Sequence, residues 1–384
     1  MKTNIAIIGG GPGGLTLARL LQLKGADVKV YERDKNRQVR VQGATLDLHA
    51  ESGLLALEKG GLIEAFKQKY RPGADKMRIM DGQANIVYDQ HLEETTEAFG
   101  EAHFRPEIDR GPLRDLLLDS LKPGTVVWDS HIVSAKEDAG AWLLQFDNGS
   151  SAHADIVIGA DGANSKIRKL VTPVTPVYSG IMVIEGTVYD ATNNAPRLDE
   201  LTSGGKLFAL ADDKTLVTSA KEDGSLAFYT AFRKEESWAK TNGLDFTDQK
   251  QLLQWFREEY AGWNKIWAEL FDNDQTTFIP RPQYHMPLDQ TWEPHANITL
   301  LGDAAHVMPP YAGEGVNMAM LDALELSECL TDDRYPDTKT AIAAYEQRMR
   351  RRAIEIGQMT LEQTDRLHAP GALRYILDVF NGTT

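Results

Sequence analysis

Short apolar runs that end at glycine recur at three distant points of the chain and dominate its hydrophobic pattern. They occupy residues 5–8, 156–158 and 298–301, and each leads directly into a glycine-containing turn. Apolar runs of this length, bounded by glycine, predict short buried strands. We therefore expect three buried strands, each followed by a tight turn.

The first of these runs opens a complete βαβ unit over residues 4–33. Apolar positions over 15–21 are spaced as on the buried face of a helix, and Gly25 ends that helix. A second strand follows over 28–31 and ends at Glu32. A strand, glycine turn, helix and strand with an acid at its tip together predict a nucleotide-binding unit.

The pattern changes over residues 176–284, where many short β-type runs surround one amphipathic helix at 252–260. This change predicts a separate sheet-containing domain inserted into the first one. Helical periodicity over 315–330 and again over 338–364 predicts that helices close the chain.

Composition excludes several classes of function. The formal net charge of −15 argues against nucleic-acid binding, which needs clustered Lys and Arg. A single cysteine excludes a disulfide framework and a redox dithiol within the chain, and the scattered histidines predict no metal site. No apolar run reaches the roughly 20 residues of a membrane span, and the first strand begins at once, so we expect a cytoplasmic protein.

The first glycine turn has the spacing that a dinucleotide pyrophosphate requires. Gly9 makes the tight turn, Gly11 lets phosphate approach the backbone, and Gly14 lets the helix pack against the strand. Glu32 lies where an acid accepts hydrogen bonds from a ribose. The alternative is a glycine turn without a ligand, but the whole βαβ unit is present.

The two later turns each carry an acid, at Asp161-Gly162 and at Gly302-Asp303. Each alone is also explained as an ordinary Asx turn. An NAD dehydrogenase needs neither, whereas a longer dinucleotide held at three points would use both. The three turns together favour FAD.

The sequence resembles the class A, p-hydroxybenzoate hydroxylase-like FAD monooxygenases, and within them the Tet(X)-type tetracycline-inactivating enzymes. The longest matching stretch runs without a break from Gly302-Asp303 to Asn317, and shorter ones surround Gly9, Glu32, the 43–49 segment and Asp109-Arg110. The resemblance implies that FAD is reduced by NADPH, forms a C4a-hydroperoxide with O2, and hydroxylates an electron-rich aromatic or polycyclic small molecule. It also implies that the flavin does the chemistry, without a catalytic side chain.

The resemblance implies an α/β fold: a Rossmann-like FAD-binding domain, an inserted (α+β) substrate domain and C-terminal helices. The predicted FAD-binding parts are residues 1–75, 105–175 and 285–330. Substrate-side strands are predicted at 76–104, the substrate domain at 176–284 and C-terminal helices at 331–384. We expect a monomer.

The resemblance also assigns cofactor-binding residues, with Arg40 on NADPH, Asp303 on the ribityl chain and 313–316 on the flavin through backbone groups. The full predicted set is Gly9, Gly11, Gly14, Glu32, Arg33, Arg40, Asp47, Arg110, Asp161, Gly162, Asp303, Pro310, Gly313, Glu314, Gly315, Val316 and Asn317.

Arg110 and Arg114 lie four residues apart on one predicted helix face. We expect at least one of them to meet a phosphate or a ring carbonyl. The alternative is a surface salt bridge with Asp109 or Asp115.

The substrate pocket departs from the tetracycline-inactivating relatives. Glu185 stands where they carry glutamine, Lys206 where they carry arginine, and Ala227 and Tyr229 replace a histidine and a glycine. The predicted substrate-binding residues are Glu185, Lys206, Phe208, Tyr229 and Tyr311, with Met182 as a further candidate lining residue. For Met182, Phe208 and Tyr229 the favoured alternative is a plain core position. Because charge and bulk both change, a tetracycline substrate is in question.

Other flavoproteins fit less well. A disulfide reductase needs a cysteine pair and a second glycine motif, and a flavin halogenase needs W-x-W-x-I-P; neither feature is present. The alternative of another class is a non-catalytic FAD- or drug-binding protein. Retention of Arg40 and Asp161-Gly162 argues against it.

Overall fold

The computed structural model describes residues 3–39, 43, 45–92, 99–101 and 104–382. Arg40, the predicted NADPH contact, lies outside the described residues. The strands are β1 Asn4–Ile8, β2 Asp27–Tyr31, β3 Leu46–Asp47, β4 Met77–Asp81, β5 Ile86–Asp89, β6 Glu107–Ile108, β7 Val126–Val127, β8 Ile132–Asp138, β9 Ala141–Phe146, β10 Ser151–Ala154, β11 Ile156–Gly159, β12 Val177–Val188, β13 Lys206–Ala211, β14 Lys214–Ala220, β15 Leu226–Arg233, β16 Thr276–His285 and β17 Ile298–Leu300.

Helices connect and cover these strands. The α-helices are α1 Pro12–Leu23, α2 Gly53–Lys59, α3 Ile63–Lys67, α4 Arg110–Asp119, α5 Arg168–Val171, α6 Ala191–Asn194, α7 Pro196–Thr202, α8 Trp238–Thr241, α9 Gln249–Glu259, α10 Asp303–His306, α11 Gly315–Leu330, α12 Thr338–Leu367 and α13 Ala372–Phe380. Three short 3-10 segments occupy Gln90–Leu92, Lys265–Leu270 and Pro310–Ala312. No helix in the described part of the chain is long and apolar enough to cross a membrane.

A five-stranded parallel sheet in the order β17-β11-β1-β2-β7 forms the nucleotide-binding part. Its central strands β1 and β11 are almost wholly apolar and buried, since parallel strands are covered on both faces. The three strands that precede the glycine turns are neighbours, so the turns lie at one edge of the sheet. The carboxyl edge of such a sheet is where ligands bind.

A seven-stranded mixed sheet in the order β16-β12-β15-β14-β13-β4-β5 forms the second layer. One face packs on α9 and the Lys265–Leu270 segment around Phe228, Phe232 and Trp267. Because side chains alternate along a strand, the opposite face carries Val183, Ala231 and Phe208. The predicted Rossmann-like fold with a second, mixed sheet is confirmed.

Met182 belongs to the core, the alternative favoured for it, and not to the pocket. It is fully buried with Phe228 and Phe232 on the helix-covered face, whereas Tyr229 and Phe208 belong to the opposite face. Neighbouring positions on a strand point to opposite sides, so Met182 cannot share a pocket with Glu185, three residues along β12.

The last two helices close the open face of the seven-stranded sheet. The 30-residue α12 packs along α11, and α13 lies against β13. Leu367 at the end of α12 and Ala372 at the start of α13 are buried with Phe208 and Ile79. The C-terminal helices therefore wall the space between the two sheets.

Candidate active site

The first glycine turn leaves one open position at the start of α1. A Cβ atom on Gly9 would lie 2.3 Å from the carbonyl oxygen of Ala160, and one on Gly14 would lie 2.2 Å from that of Gly9. A Cβ atom on Gly11 would meet nothing within 4 Å. Gly9 and Gly14 are thus required by close backbone approach, while Gly11 borders open space at a helix N-terminus, which favours an anion.

Glu32 is buried at the tip of β2 and anchors this turn. One carboxylate oxygen accepts the N–H of Gly10 at 2.6 Å and the other accepts the N–H of Asp34 at 3.0 Å. The following residue, Arg33, is exposed. Glu32 therefore has a structural role in the turn, and its predicted contact with a ribose remains a prediction.

The second turn, after β11, is held by its own acid. Asp161 accepts hydrogen bonds from the hydroxyl of Ser165 at 2.5 Å and the N–H of Lys166 at 2.7 Å. Gly162 takes a positive φ of 79°. These hydrogen bonds are those of an ordinary Asx turn, which was the alternative explanation of this segment. The assignment of Asp161 and Gly162 to a nucleotide therefore stays a prediction.

The third turn exposes a carboxylate in the cleft between α4 and the start of α11. Asp303 is solvent-exposed, and no described residue donates a hydrogen bond to its carboxylate. Protein groups nevertheless surround it so closely that burial raises its pKa, against the opposing charges of His306, Arg110 and Arg168. A carboxylate that contacts water at the bottom of a cleft is suited to accept ligand hydroxyl groups.

Two residues not predicted from the sequence hold the third turn in place. Arg168 donates from Nε to the carbonyl of Ala304 at 2.7 Å and from a terminal nitrogen to that of Asp303 at 2.7 Å. Asp322, fully buried on α11, accepts the N–H of Gly302 at 2.9 Å. The contact of Arg168 with Ala304 spans 136 residues and that of Asp322 with Gly302 spans 20, so neither shows in a local sequence pattern.

The segment before α11 exposes backbone as its prolines and glycines suggest. Pro310 and Gly315 are exposed, Val316 is half-buried, and Gly313 takes a positive φ of 70°. A Cβ atom on Gly315 would meet nothing within 4 Å. The N-terminus of α11 therefore opens onto the same cleft.

Asn317 lies behind this segment. It is fully buried, accepts the N–H of His49 at 2.9 Å and donates to the carbonyl of Asp47 at 3.0 Å. Its side chain thus joins α11 to the 46–49 segment, and direct contact with a cofactor is not needed to explain it.

The 46–49 segment contributes Asp47 and His49. Nε2 of His49 lies 2.9 Å from a carboxylate oxygen of Asp47, and its Nδ1 lies 3.4 Å from Glu314. Burial raises the pKa of Asp47, but the hydrogen bond from His49 and the charge of Lys206 outweigh it, and the pKa is lowered. Asp47 is ionised beside Gly313, whose Cβ position is 3.5 Å from both carboxylate oxygens.

The two arginines of α4 have different roles. Arg114 is buried and donates to Asp34 and to the carbonyl of Arg37, each at 3.0 Å. Arg110 is exposed at the start of the helix, and its charge acts on Asp303.

The alternative partners of these arginines are engaged elsewhere. Asp109 pairs with Arg71 at 3.3 Å, and Asp115 pairs with Arg37 at 2.5 Å. Arg110 is therefore the arginine that faces the cleft.

The seven-stranded sheet meets the nucleotide side at Gly43. Glu185 and Tyr229 are cross-strand partners on β12 and β15. A Cβ atom on Gly43 would lie 3.5 Å from Oε1 of Glu185, 3.4 Å from the hydroxyl of Tyr229 and 3.4 Å from Nε of Arg110. Arg281 holds the other carboxylate oxygen of Glu185 at 2.8 Å.

Lys206 has a protein partner at the foot of the cleft. Its ammonium group donates to the buried carboxylate of Glu107, which is the register partner of Asp47 across β3 and β6. Burial lowers the pKa of Lys206, but the charges of Glu107 and Asp47 outweigh it and keep the lysine charged. This ion pair links β13 of the seven-stranded sheet to the separate two-stranded pair of β3 and β6.

Phe208 and Tyr311 form the apolar wall beside α13. Both are in contact with the cluster of Ile79, Leu367 and Ala372. The hydroxyl of Tyr311 lies 3.2 Å from Nε2 of His368. The hydroxyl group of Tyr311 is therefore engaged with His368, and its ring is the part available to contact a ligand.

The polar groups of these residues match those of FAD. Two open helix N-termini at Gly11 and Gly315 suit negative charge, while Asp303 and Arg110 suit hydroxyl and phosphate or carbonyl groups between them. The groups come from the first and third glycine turns, the start of α11 and α4, so they are spread over several segments of the chain.

Comparison with known proteins gives the same cofactor. The family model described as an FAD binding domain matches residues 2–359. The chain belongs to this family. The monooxygenase asqM of Emericella nidulans is 30% identical over 375 residues, covering 84% of this chain and 83% of that protein. The 3-amino-4-hydroxybenzoate 2-monooxygenase PtnB3 of Streptomyces platensis is 28% identical over 382 residues, covering 97% and 90%.

The crystal structure of the tetracycline destructase Tet(51) shares the fold. It superposes with a TM-score of 0.74 at 18% identity, over 100% of this chain and 96% of that one. Membership of the FAD-binding family, together with relatives named as monooxygenases, confirms the predicted FAD-dependent monooxygenase class.

Proposed function

We propose that this enzyme uses NADPH and O2 to hydroxylate an electron-rich aromatic or polycyclic small molecule. The carrying observation is the meeting at Gly43 of Arg110, from the nucleotide side, with Glu185 and Tyr229, from the second sheet. A substrate on that sheet would lie directly against the end of the FAD cleft. FAD, when bound, supplies the redox and oxygen-transfer chemistry.

The residues of the chain bind and orient the substrate in this proposal. Val183, Ala231 and Phe208 give an apolar surface, and the C-terminal helices cover it from water. Oε1 of Glu185 accepts a hydrogen bond from a substrate hydroxyl or amino group, because Arg281 already occupies Oε2. Lys206 acts through its ion pair with Glu107 rather than as a free cation.

The reductant is proposed from the family resemblance, which assigns Arg40 to NADPH. A change of Arg40 to alanine should raise the KM for NADPH without weakening FAD binding. We further propose a cytoplasmic monomer, on the support of the acidic composition and the single cysteine.

A mass-spectrometric panel tests the function. The FAD-loaded protein is incubated with NADPH or NADH and with tetracyclines, anthracyclines and simple phenols, and products one oxygen heavier are sought. We expect substrate-stimulated NADPH oxidation with a matching yield of hydroxylated product. If the yellow protein binds such compounds but none stimulates NADPH oxidation, the sequestering alternative replaces this proposal.

The tetracycline question is decided in the same panel. Glu185 adds a carboxylate at a place where the relatives carry an amide, and this makes donor-bearing phenols the better expected substrates. Oxygenation of tetracycline at a rate comparable to that of the best phenol would assign antibiotic inactivation to the enzyme.

A further inference from the structure

Five charged side chains form a row that connects the start of α11 to the β3–β6 pair and to the seven-stranded sheet. In order they are Glu314, His49, Asp47, Lys206 and Glu107, so that acid and base alternate. Both ends of the row are acidic, and His49 separates two carboxylates. The histidine is thus the only positive group between Glu314 and Asp47 in the described part of the row.

His49 is built into the protein as a cation. It is 1% exposed, and its backbone N–H is fixed by Asn317. Its Nε2 is 2.9 Å from Asp47, while its Nδ1 has Glu314 at 3.4 Å and no aligned hydrogen-bond acceptor. Burial lowers the pKa of His49, but the hydrogen bond with Asp47 and the negative charges of Asp47 and Glu314 outweigh it and raise the pKa to about 9.

This cation lies directly behind the backbone that opens into the cleft. Glu314 is the residue before the first turn of α11, and Asp47 touches the Cβ position of Gly313 at 3.5 Å. The positive end of the α11 dipole points the same way. His49 therefore adds a full positive charge, which offsets one of the two flanking carboxylates and acts in the same sense as the helix dipole.

We propose that His49 is a positioning residue that keeps a positive charge behind the 313–315 segment and so favours reduced FAD over oxidised FAD. The proposal rests on FAD binding within the proposed function and is independent of the substrate. Reduced flavin carries negative charge on its ring, and charges act strongly across a site with little water.

The midpoint potential of bound FAD measures this preference without substrate or NADPH. At pH 6, His49→Gln should lower the ratio of reduced-FAD to oxidised-FAD affinity roughly tenfold, which is about 30 mV for a two-electron couple. Glu314→Gln removes a negative charge and leaves His49 protonated through Asp47, so it should raise the potential. The matched control is His131→Gln, since His131 also pairs with an aspartate, Asp147 at 3.1 Å, but is exposed.

The midpoint potential is expected to fall in His49→Gln and to rise in Glu314→Gln. These opposite shifts distinguish an electrostatic role of His49 from structural damage. A His49→Gln protein that binds FAD weakly but keeps the wild-type potential would show a mere clamp between two segments and overturn the proposal. A shift in the same direction for both variants would also overturn it. If His49→Gln fails to hold FAD, an unchanged potential in Glu314→Gln contradicts the proposal and a raised one supports it.

The midpoint potential is measured without turnover, so the proposal for His49 and the proposed hydroxylation can fail independently of each other. Absence of hydroxylated product leaves the potential measurement intact, and an unchanged potential leaves the hydroxylation assay intact.

Discussion

Two buried histidines near the cleft have pKa values displaced in opposite directions. His49 lies between two carboxylates, which hold its pKa at about 9, whereas burial lowers the pKa of His368 to about 4. Nδ1 of His368 donates to the carbonyl of Thr364 at 2.9 Å, so Nε2 is the acceptor for the hydroxyl of Tyr311. His368 is therefore neutral, with one fixed tautomer.

The low pKa of His368 makes the folded protein sensitive to acid. Between pH 6.5 and 4 the unfolded chain binds a proton at this residue and the folded chain does not, so stability is full above pH 6.5 and falls as pH approaches 4. The shift corresponds to roughly 3 kcal/mol in the free energy of unfolding. His49 affects stability in the alkaline range, because its contribution to the free energy of unfolding is lost as pH rises through about 9.

Urea unfolding at several pH values, followed by tryptophan fluorescence, checks this prediction. His368→Gln should flatten the dependence of the unfolding free energy on pH between 4 and 6.5. His131→Gln, at an exposed site, should keep the wild-type slope. An unaltered slope in His368→Gln would mean that His368 is protonated in the folded protein.

At the level of elements, the first glycine turn separates folding from cofactor binding. Gly14 touches the backbone of Gly9, whereas Gly11 faces open space. The same small change, glycine to alanine, is therefore predicted to have different effects three residues apart.

Gly14→Ala should destabilise the protein by about 1–3 kcal/mol, because its Cβ atom would overlap a backbone oxygen. Gly11→Ala should leave the apoprotein about as stable as wild type but weaken FAD binding at least tenfold, on the order of 1.4 kcal/mol. Thermal unfolding of the apoproteins and fluorescence titration with FAD measure the two effects. Equal FAD affinity in Gly11→Ala and wild type would remove this turn from the cofactor site.

Local patterns predicted the glycine turns and the parallel strands because their causes are local. The core position of Met182 has a local cause as well. Met182 and Glu185 are three residues apart on β12, and side chains at an odd separation along a strand lie on opposite faces. Arg168, Asp322 and His368 were not predicted, because their contacts span long stretches of chain. The predicted domain boundaries and cofactor contacts remain predictions.

At the level of the whole molecule, the ion pair of Lys206 and Glu107 joins the seven-stranded sheet to the nucleotide-binding part. Glu107 is 1% exposed, and one of its carboxylate oxygens has no hydrogen-bond partner. Breaking a buried pair leaves an uncompensated charge, which costs more than removing both partners.

Lys206→Met should therefore destabilise the protein by about 3–5 kcal/mol, and the double variant with Glu107→Leu should recover most of that loss. Chemical unfolding of both single variants and the double variant gives the coupling energy between the two residues. Additive losses would show that Lys206 and Glu107 stabilise the protein independently. In that case, a direct role of Lys206 toward substrate would regain support.

The order in which the chain enters the five-stranded sheet has a consequence for biosynthesis. Strand β11 pairs with β17, which is made about 140 residues later, and the open end of α11 follows β17. A nascent chain on the ribosome must therefore extend past residue 315 of 384 before its FAD cleft is complete. Until then, the apolar strand Ile156–Gly159 has an unpaired edge, and an unpaired edge favours aggregation of the unfinished chain. We therefore expect FAD to bind only after most of the chain has been synthesised.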